Sequence, residues 1–448
     1  MAQDTAISVK ADATLNGMAA TALATNLRDG RISATDLMEA CLDRIARREP
    51  EVKAWAFLDT ERARERAKMA DARREAGLPL GPLHGLPIGV KDVFDTADMP
   101  SEYGSQTLRG RQPALDADAI SILRSAGAIV IGKTATSEFG MYHPSPTRNP
   151  IDLSRSPGVS SSGSAAAVVD RMMPLGLGTQ HTASTTLPAS FCGACAFKPS
   201  LGFTSMAGSN VLVPRLAHVG LLARSTLDLC LFASAFDPAL ADVSAAEKPP
   251  RLGVVRGPGW AMADDDACVA FEALLEQLST SAESIDLPAE FDDALDITVG
   301  LLNAHLARRF GCGPDDIIRQ YCRPLQEGIE AGRRIDSTRY LALDAQADLL
   351  AERARALFGD LDALITLSAL GEATRIEDGP GAGVMSMPWS LCGLPTVSLP
   401  LLTGDRGLPI GVQLIGRHGR DADLLRVSGW LEAVACSNCH SSQSRHRS

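Results

Sequence analysis

The sequence lacks any long run of apolar residues: no stretch approaches the roughly 18 residues that are needed to cross a bilayer. Its first residues, MAQDTAISVKADATLNG, also lack a basic segment followed by an apolar one, so no signal peptide is predicted. We therefore expect a cytoplasmic protein that does not use a membrane as a partner.

Positive charge is also scarce. Lysine and arginine number 43 against 54 aspartates and glutamates, which gives a formal charge of −11. An acidic balance argues against a general nucleic-acid or anionic-membrane surface. The chain also contains no zinc-ligand spacing, phosphate-binding loop or dinucleotide fingerprint. The sequence therefore predicts no nucleic-acid partner and no metal site.

In other respects the composition is that of an ordinary soluble globular protein, with 45% apolar and 22% charged residues in 448. Ten scattered cysteines, without an export signal, are interpreted as reduced packing residues. Segments of strand character alternate with helical ones, which predicts a layered α/β fold. The predicted strands are 53–58, 88–91, 128–134, 361–369, 395–402 and 408–416, and the predicted helices include 60–75, 118–125 and 164–173.

Lys91 ends a short apolar strand that follows the glycine- and proline-rich run GPLHGLPIG. An amine flanked by apolar residues can be desolvated, which lowers its pKa and makes the neutral amine available as a base. Taken alone, a lysine at a strand end is more often a solvated or paired charge. A catalytic interpretation therefore needs further groups.

Two loops of small residues offer hydroxyl groups: GVSSSGS at 158–164 and GTQHTASTTLPASFCG at 178–193. Small residues let the backbone turn tightly, and backbone N–H groups beside a serine can face a developing oxyanion. Each loop alone is equally consistent with a turn or a helix N-cap. Serine is a weak nucleophile that needs a base, and a Ser–Lys arrangement is a known solution.

Taken together, these segments resemble the amidase signature family of Ser–cisSer–Lys hydrolases. The resemblance extends over roughly residues 20–432 and is carried by long runs at 81–105, 143–168, 174–202, 391–402 and 407–432. It implies a single domain over residues 1–448, folded as three α/β/α layers with a large mixed central β-sheet. It also implies that no metal or organic cofactor is used. Residues 433–448 are expected to form a flexible tail.

By position, the resemblance makes Lys91 the base, Ser160 the bridging serine, preceded by a cis peptide bond, and Ser184 the nucleophile. Met141 and Tyr142 occupy substrate-contacting positions of the same pattern. The oxyanion hole is expected to consist of backbone N–H groups, those of His181, Thr182, Ala183 and Ser184.

The chain departs from the family pattern in both loops. Val159 replaces a glycine before the paired serines, and Thr182 and Ala183 replace a Gly-Gly pair before the nucleophile. If position 182 required a positive φ, threonine would be strained there. Gln180 and Thr186 stand where relatives often have Asp and Arg, so the charged pair is absent on both sides. We interpret these changes as a reshaped oxyanion loop in an active enzyme.

The sequence thus predicts a hydrolase of amides, carbamates (urethanes), anilides or esters, acting through an acyl-enzyme on Ser184 with a Ser160–Lys91 proton relay. The expected partner is a small-molecule amide or carbamate, and the expected state is a monomer or homodimer. Two alternatives remain open. One is a glutaminase-type subunit of an amidotransferase complex, and the other is a non-catalytic binding protein on this fold, prompted by Val159 and Thr182.

Three further signals have plain interpretations. His181 is expected to point to solvent or to cap a backbone group rather than to sense pH. Cys436, Cys439 and His440 match the C-x-x-C-H pattern of c-type haem attachment, but neither export nor a haem fold is predicted, so chance is favoured. Cys192 and Cys195 are expected to be packing residues rather than a redox pair.

Overall fold

The computed structural model describes residues 15–141, 144–278 and 280–445, except for the side chains of residues 436 and 438–445. The strands are β1 (Trp55–Leu58), β2 (Pro87–Lys91), β3 (Ile129–Thr134), β4 (Leu175–Gln180), β5 (Cys195–Lys198), β6 (His218–Ala223), β7 (Leu252–Val254), β8 (Ala282–Ser284), β9 (Ala363–Leu367), β10 (Thr396–Thr403) and β11 (Pro409–Ile415).

The α-helices surround these strands. They are α1 (Ala20–Arg28), α2 (Ala34–Val52), α3 (Thr60–Glu75), α4 (Asp118–Ser125), α5 (Ser162–Val169), α6 (Thr186–Cys192), α7 (Thr226–Ala233), α8 (Asp265–Gln277), α9 (Ala294–Phe310), α10 (Asp315–Ile318), α11 (Arg323–Arg333), α12 (Ser337–Ala356), α13 (Met387–Leu391) and α14 (Asp421–Arg445).

Local signals set several of these boundaries. The Ser33 hydroxyl accepts the N–H of Asp36 and so caps α2, as its sequence pattern predicts. Helix α3 stops before Gly77, whose φ of +64° suits glycine. In the described part of the chain, no helix is long and apolar enough to cross a membrane.

Within the described residues, the eleven strands form one mixed sheet in the order β1-β3-β2-β4-β6-β5-β10-β11-β9-β7-β8. This confirms the predicted α/β fold with a large mixed sheet. Strand β2 pairs in parallel with β3 and β4, whereas β4 pairs antiparallel with β6. Because β2 and β4 are parallel neighbours, their carboxyl ends, Lys91 and Gln180, lie at the same edge of the sheet.

Strand β4 corrects one prediction, because it is absent from the predicted strands and its last three residues lie in the segment 178–193 that was interpreted as a loop. The sequence LGLGTQ contains two glycines and is buried on both faces, so it shows no alternation of apolar and polar residues. Helix α5 begins at Ser162 rather than at residue 164 and ends at Val169. It packs against β4 and α6, which joins the two serine loops to the sheet.

The C-terminal helix α14 continues to Arg445 and thus enters residues 433–448, for which a flexible tail is expected. Its earlier turns are anchored, since Leu424, Leu425 and Leu431 are buried. The Glu432 carboxylate accepts the N–H of Thr226 at 2.9 Å.

Candidate active site

Lys91 and Ser160 meet at the carboxyl end of β2. The Lys91 Nζ lies 2.7 Å from Ser160 Oγ, 2.9 Å from Thr179 Oγ1 and 3.5 Å from the Thr179 carbonyl oxygen. Both Lys91 and Ser160 are fully buried. A neutral amine has two N–H donors and one lone pair. These surroundings match it, with two acceptors on Thr179 and one hydroxyl that can donate.

Burial without a counter-charge favours the neutral form of the Lys91 amine. Desolvation lowers the pKa of Lys91 well below its ordinary value. The adjacent carboxylate, Asp92, pairs instead with Lys133, whose Nζ lies 2.9 Å from Asp92 Oδ1 and 2.6 Å from Ser101 Oγ. The lowered pKa favours the neutral form of the Lys91 amine, which is the form that a base requires.

Ser184 lies beside the Ser160 loop, since the Ser161 N–H donates to the Ser184 carbonyl oxygen at 3.1 Å. In the described ranges, the Ser184 hydroxyl makes no hydrogen bond, so its contact with Ser160 is not formed. The implied cis bond is also absent there, and the Val159–Ser160 peptide is trans. This corrects the resemblance; a non-proline peptide favours trans by about 2.5–4 kcal/mol.

The segment between β4 and α6 contains the backbone N–H groups that are expected to form an oxyanion hole, those of residues 181–184. The N–H groups of Thr182, Ala183 and Ser184 donate no hydrogen bond to any acceptor of the described chain. Neither Thr182 nor Ala183 has a positive φ, so the strain that a glycine position would impose on threonine does not arise.

A neutral hydrogen-bond network replaces the charged pair of relatives. The Gln180 Oε1 accepts the backbone N–H groups of Thr185 and Thr186 at 2.9 and 3.0 Å. The Gln180 Nε2 donates to Ser390 Oγ at 3.1 Å, and Ser390 Oγ donates to the Thr182 carbonyl oxygen at 2.7 Å. All of these polar groups are satisfied, so no charge is stranded in the buried loop.

The other unusual residues of the loops pack together. Ala183 belongs to a small apolar cluster separate from the main core, and Val159 packs against that cluster. A Cβ at Gly383 would lie 2.4 Å from the Ala183 methyl, so alanine at 183 is matched by glycine at 383. Gly158, which keeps a φ of +95°, lets the backbone approach Pro188 closely.

His181 caps a backbone group, as expected from the sequence. Its Nε2 accepts the N–H of Leu212 at 3.2 Å, and the residue is only 6% exposed, so it does not point to solvent. Burial is the largest cause that lowers the pKa of His181, to about 3. The ring is therefore neutral at physiological pH.

Met141 is buried one residue after Gly140, and Tyr142 lies outside the described residues. A Cβ at Gly140 would lie 3.9 Å from both Lys91 Nζ and Ser160 Oγ, so the Met141 segment does border the lysine–serine pair. Sequence reasoning missed Thr179 and Ser390. Thr179 stands five residues before Ser184 in the matched motif, whereas no local signal indicated Ser390.

The two cysteines that flank Gly193 and Ala194 are both buried. Cys192 Sγ lies 3.6 Å from the Pro157 carbonyl oxygen, and Cys195 Sγ lies 4.0 Å from Glu432 Oε1. Among the described side chains, no group of three or more His, Cys, Asp or Glu residues is arranged to hold a metal ion. The side chains at positions 436, 439 and 440, which carry the C-x-x-C-H pattern, lie outside the described residues.

Comparison with protein-family models matches residues 36–425 to the family described as Amidase. The chain is 34% identical over 461 residues to a glutamyl-tRNA(Gln) amidotransferase subunit of Symbiobacterium thermophilum, covering 90% of this chain and 94% of that one. A crystal structure of an amidase superposes with a TM-score of 0.85 at 29% identity, covering 93% of this chain and 99% of that one. The peptide amidase of Stenotrophomonas maltophilia has a TM-score of 0.81 at 26% identity, covering 94% and 97%.

Proposed function

Because the chain belongs to the amidase signature family, we propose that it cleaves a carbon–nitrogen acyl bond through an acyl-enzyme on Ser184. The observation that carries the proposal is the 2.7 Å contact between the buried Lys91 amine and Ser160. Neutral Lys91 takes a proton from Ser160, which takes one from Ser184 as Ser184 Oγ attacks the carbonyl carbon.

The remaining steps use the same groups. The oxyanion of the tetrahedral intermediate faces the backbone N–H groups at 182–184, each of which is worth about 10²–10³ in rate. The relay then reverses and protonates the leaving nitrogen, and water attacks the acyl-enzyme through the same pair. Rotation of the Ser184 hydroxyl toward Ser160 completes the relay when substrate binds, since catalytic hydrogen bonds are often loose before binding.

The loop favours a small, neutral and partly apolar substrate. Gln180 and Thr186 are uncharged, His181 is neutral, and Ala183 and Val159 add methyl groups to an apolar cluster beside the oxyanion segment. Carbamates, anilides and esters present the same carbonyl chemistry as amides. A non-peptide C–N bond, with urethanes among the first candidates, is therefore the proposed target.

The test is a screen of aryl amides, carbamates and esters of increasing acyl length, read as amine or alcohol release. Wild type is compared with Ser184→Ala and Lys91→Ala. We expect wild type to hydrolyse its substrate without any partner protein. Each variant should lose about 10⁴-fold or more in kcat. Equal release by wild type and Ser184→Ala would remove Ser184 from its role.

The identity to a component of an amidotransferase supports a second candidate, a glutaminase subunit that works in a complex. Glutamine is then the substrate, and ammonia release should rise when the other subunits of an amidotransferase are added. Activity on non-glutamine amides without partners would argue against it.

A non-catalytic binding protein is the third possibility, and labelling separates it from the other two. A fluorophosphonate that modifies Ser184 in folded protein, located by mass spectrometry of the labelled peptide, excludes this possibility. Absence of labelling favours it.

A further inference from the structure

Ser390, in α13, contacts the oxyanion segment from a distant part of the chain. Its side chain is fully buried, and its Oγ lies 2.7 Å from the Thr182 carbonyl oxygen and 3.1 Å from Gln180 Nε2. The mechanism proposed above does not use this residue.

The donor and acceptor roles around Ser390 are fixed by its surroundings. Two backbone N–H groups, of Thr185 and Thr186, point at one atom of the Gln180 amide, which must therefore be its oxygen. The other atom is then the NH₂ group, which donates to Ser390 Oγ. The single hydroxyl hydrogen of Ser390 is left for the Thr182 carbonyl.

Holding this carbonyl also sets the direction of the next N–H. In a trans peptide, the C=O of Thr182 and the N–H of Ala183 point in opposite directions. The carbonyl faces Ser390, and the Ala183 N–H faces no acceptor in the described chain. We propose that Ser390 is a positioning residue that directs the Ala183 N–H at the substrate's carbonyl oxygen. The proposal rests on the proposed function of Ser184.

The neighbouring peptides of the segment are held in other ways. The Ser184 carbonyl accepts the N–H of Ser161, and the next N–H, of Thr185, donates to Gln180. Among the hydrogen bonds of the described residues, Ser390 is the sole contact of the Thr182 carbonyl. Loss of its hydroxyl therefore removes the sole hydrogen bond that the Thr182 carbonyl makes with the described residues, whereas the Ser184 carbonyl and the Thr185 N–H keep partners other than Ser390.

The experiment is the kinetics of labelling by an alkyl fluorophosphonate, whose phosphoryl oxygen gains negative charge as Ser184 attacks. Ser390→Ala should lower the maximal labelling rate by about 10-fold or more, short of the 10²–10³ expected when a donor is removed outright. The half-saturating probe concentration should change by less than about 3-fold, because ground-state binding does not use the oxyanion. Ser390→Thr retains the donor and should restore most of the rate.

Ser428→Ala is the matched control. Ser428 is also fully buried, and its hydroxyl also donates to a backbone carbonyl, of Leu424 at 2.8 Å, but within α14. It should label like wild type even if its Tm falls. Should Ser390→Ala not fold, Ser390→Cys keeps the bulk with a weaker donor and should lower the same rate.

The outcomes distinguish the positioning role of Ser390 from the proposed function of Ser184, on which that role rests. Wild type labelled at Ser184, with Ser390→Ala labelled at the same rate, overturns the positioning role and leaves the proposed function intact. Wild type that is not labelled at Ser184 contradicts the proposed function, and the role of Ser390 falls with it. An equal loss in Ser428→Ala would also overturn it, since the effect would then be general destabilisation.

Discussion

Two neighbouring buried lysines illustrate how residue environment decides function. Lys91 has only neutral partners, Ser160 and Thr179, whereas Lys133 is paired with the buried carboxylate of Asp92. The first amine is costly to bury in its charged form and so is available as a base. The second is part of an ion pair that fixes the strand end on which Lys91 stands.

Replacing either lysine by methionine should have opposite consequences. Lys91→Met removes the base, so hydrolysis should fall about 10⁴-fold or more, while Tm should change little because no buried counter-charge is stranded. Lys133→Met strands the Asp92 carboxylate and should destabilise the fold by about 3–5 kcal/mol. Thermal unfolding and amine release measure both effects; a large Tm loss in Lys91→Met would contradict the interpretation.

His181 predicts a pH dependence of stability. Its pKa of about 3 in the folded protein lies below the value of about 6.5 expected in the unfolded chain. As pH falls below about 6.5, the unfolded chain binds a proton that the folded protein does not, so stability is lost.

Between pH 7.5 and pH 5, wild type should lose about 2 kcal/mol more stability than His181→Gln. Glutamine keeps an acceptor for the Leu212 N–H but does not titrate. Urea unfolding at the two pH values measures the difference. Parallel losses in both proteins would show that His181 is protonated in the folded state.

At the scale of elements, the serine loops are positioned by close backbone contacts with α6. Gly158 has a φ of +95°, and a Cβ there would lie 2.7 Å from the Pro188 Cα. Gly202 has a similar φ of +83°, but a Cβ there would meet no atom within 4 Å. A side chain at either position would carry the cost of a positive φ, but only at position 158 would its Cβ also clash with a neighbouring atom.

Gly158→Ala should therefore cost more than Gly202→Ala in both stability and activity. A residue forced into a positive φ costs about 1–3 kcal/mol, which applies to both variants. At position 158 the clash adds to this backbone cost and displaces Val159 and Ser160, so activity should fall in Gly158→Ala but not in Gly202→Ala. Tm and fluorophosphonate labelling of the two variants test this, and equal labelling rates would contradict it.

At the scale of the whole molecule, the sheet pairs strands from the N-terminal half of the sequence with strands from the C-terminal half. Strand β10 lies between β5 and β11, and α6, just after Ser184, packs against β10 and β11. Gln180 and Thr182 are likewise hydrogen-bonded to Ser390, which lies in the C-terminal half of the sequence. This interleaving supports the proposal, made from the family resemblance, that the chain forms a single domain.

One cooperative unfolding transition is therefore expected. Tryptophans lie in distant parts of the chain, at positions 55, 260, 389 and 430, so fluorescence reports on several regions. Urea transitions followed by fluorescence and by far-UV circular dichroism should coincide. Separate midpoints would show that the sheet breaks into independent units.

The sequence by itself determined the α/β class, most helices and several strands, because caps, glycine stops and apolar runs are local signals. Helices α3 and α4 were predicted with their observed ends, 60–75 and 118–125. Lys91, Ser160 and Ser184 were identified from motif resemblance, and their roles stay a prediction. The central strands β4, β5 and β6 went unpredicted, since short strands buried on both faces carry no alternating pattern.

Only the tertiary structure decided the partners of those residues. The lowered pKa of Lys91 depends on its burial, while Asp92 is paired with Lys133. The uncharged hydrogen-bond network at Gln180 depends on Ser390, which lies 210 positions away in the sequence. The methyl group of Ala183 fits in the loop because Gly383, which lies against it, has no side chain. The physical reason is common to all three. Hydrogen bonds, desolvation and close packing act between atoms that the fold brings together. Because these atoms belong to residues that are far apart in the sequence, local sequence patterns do not predict which of them meet.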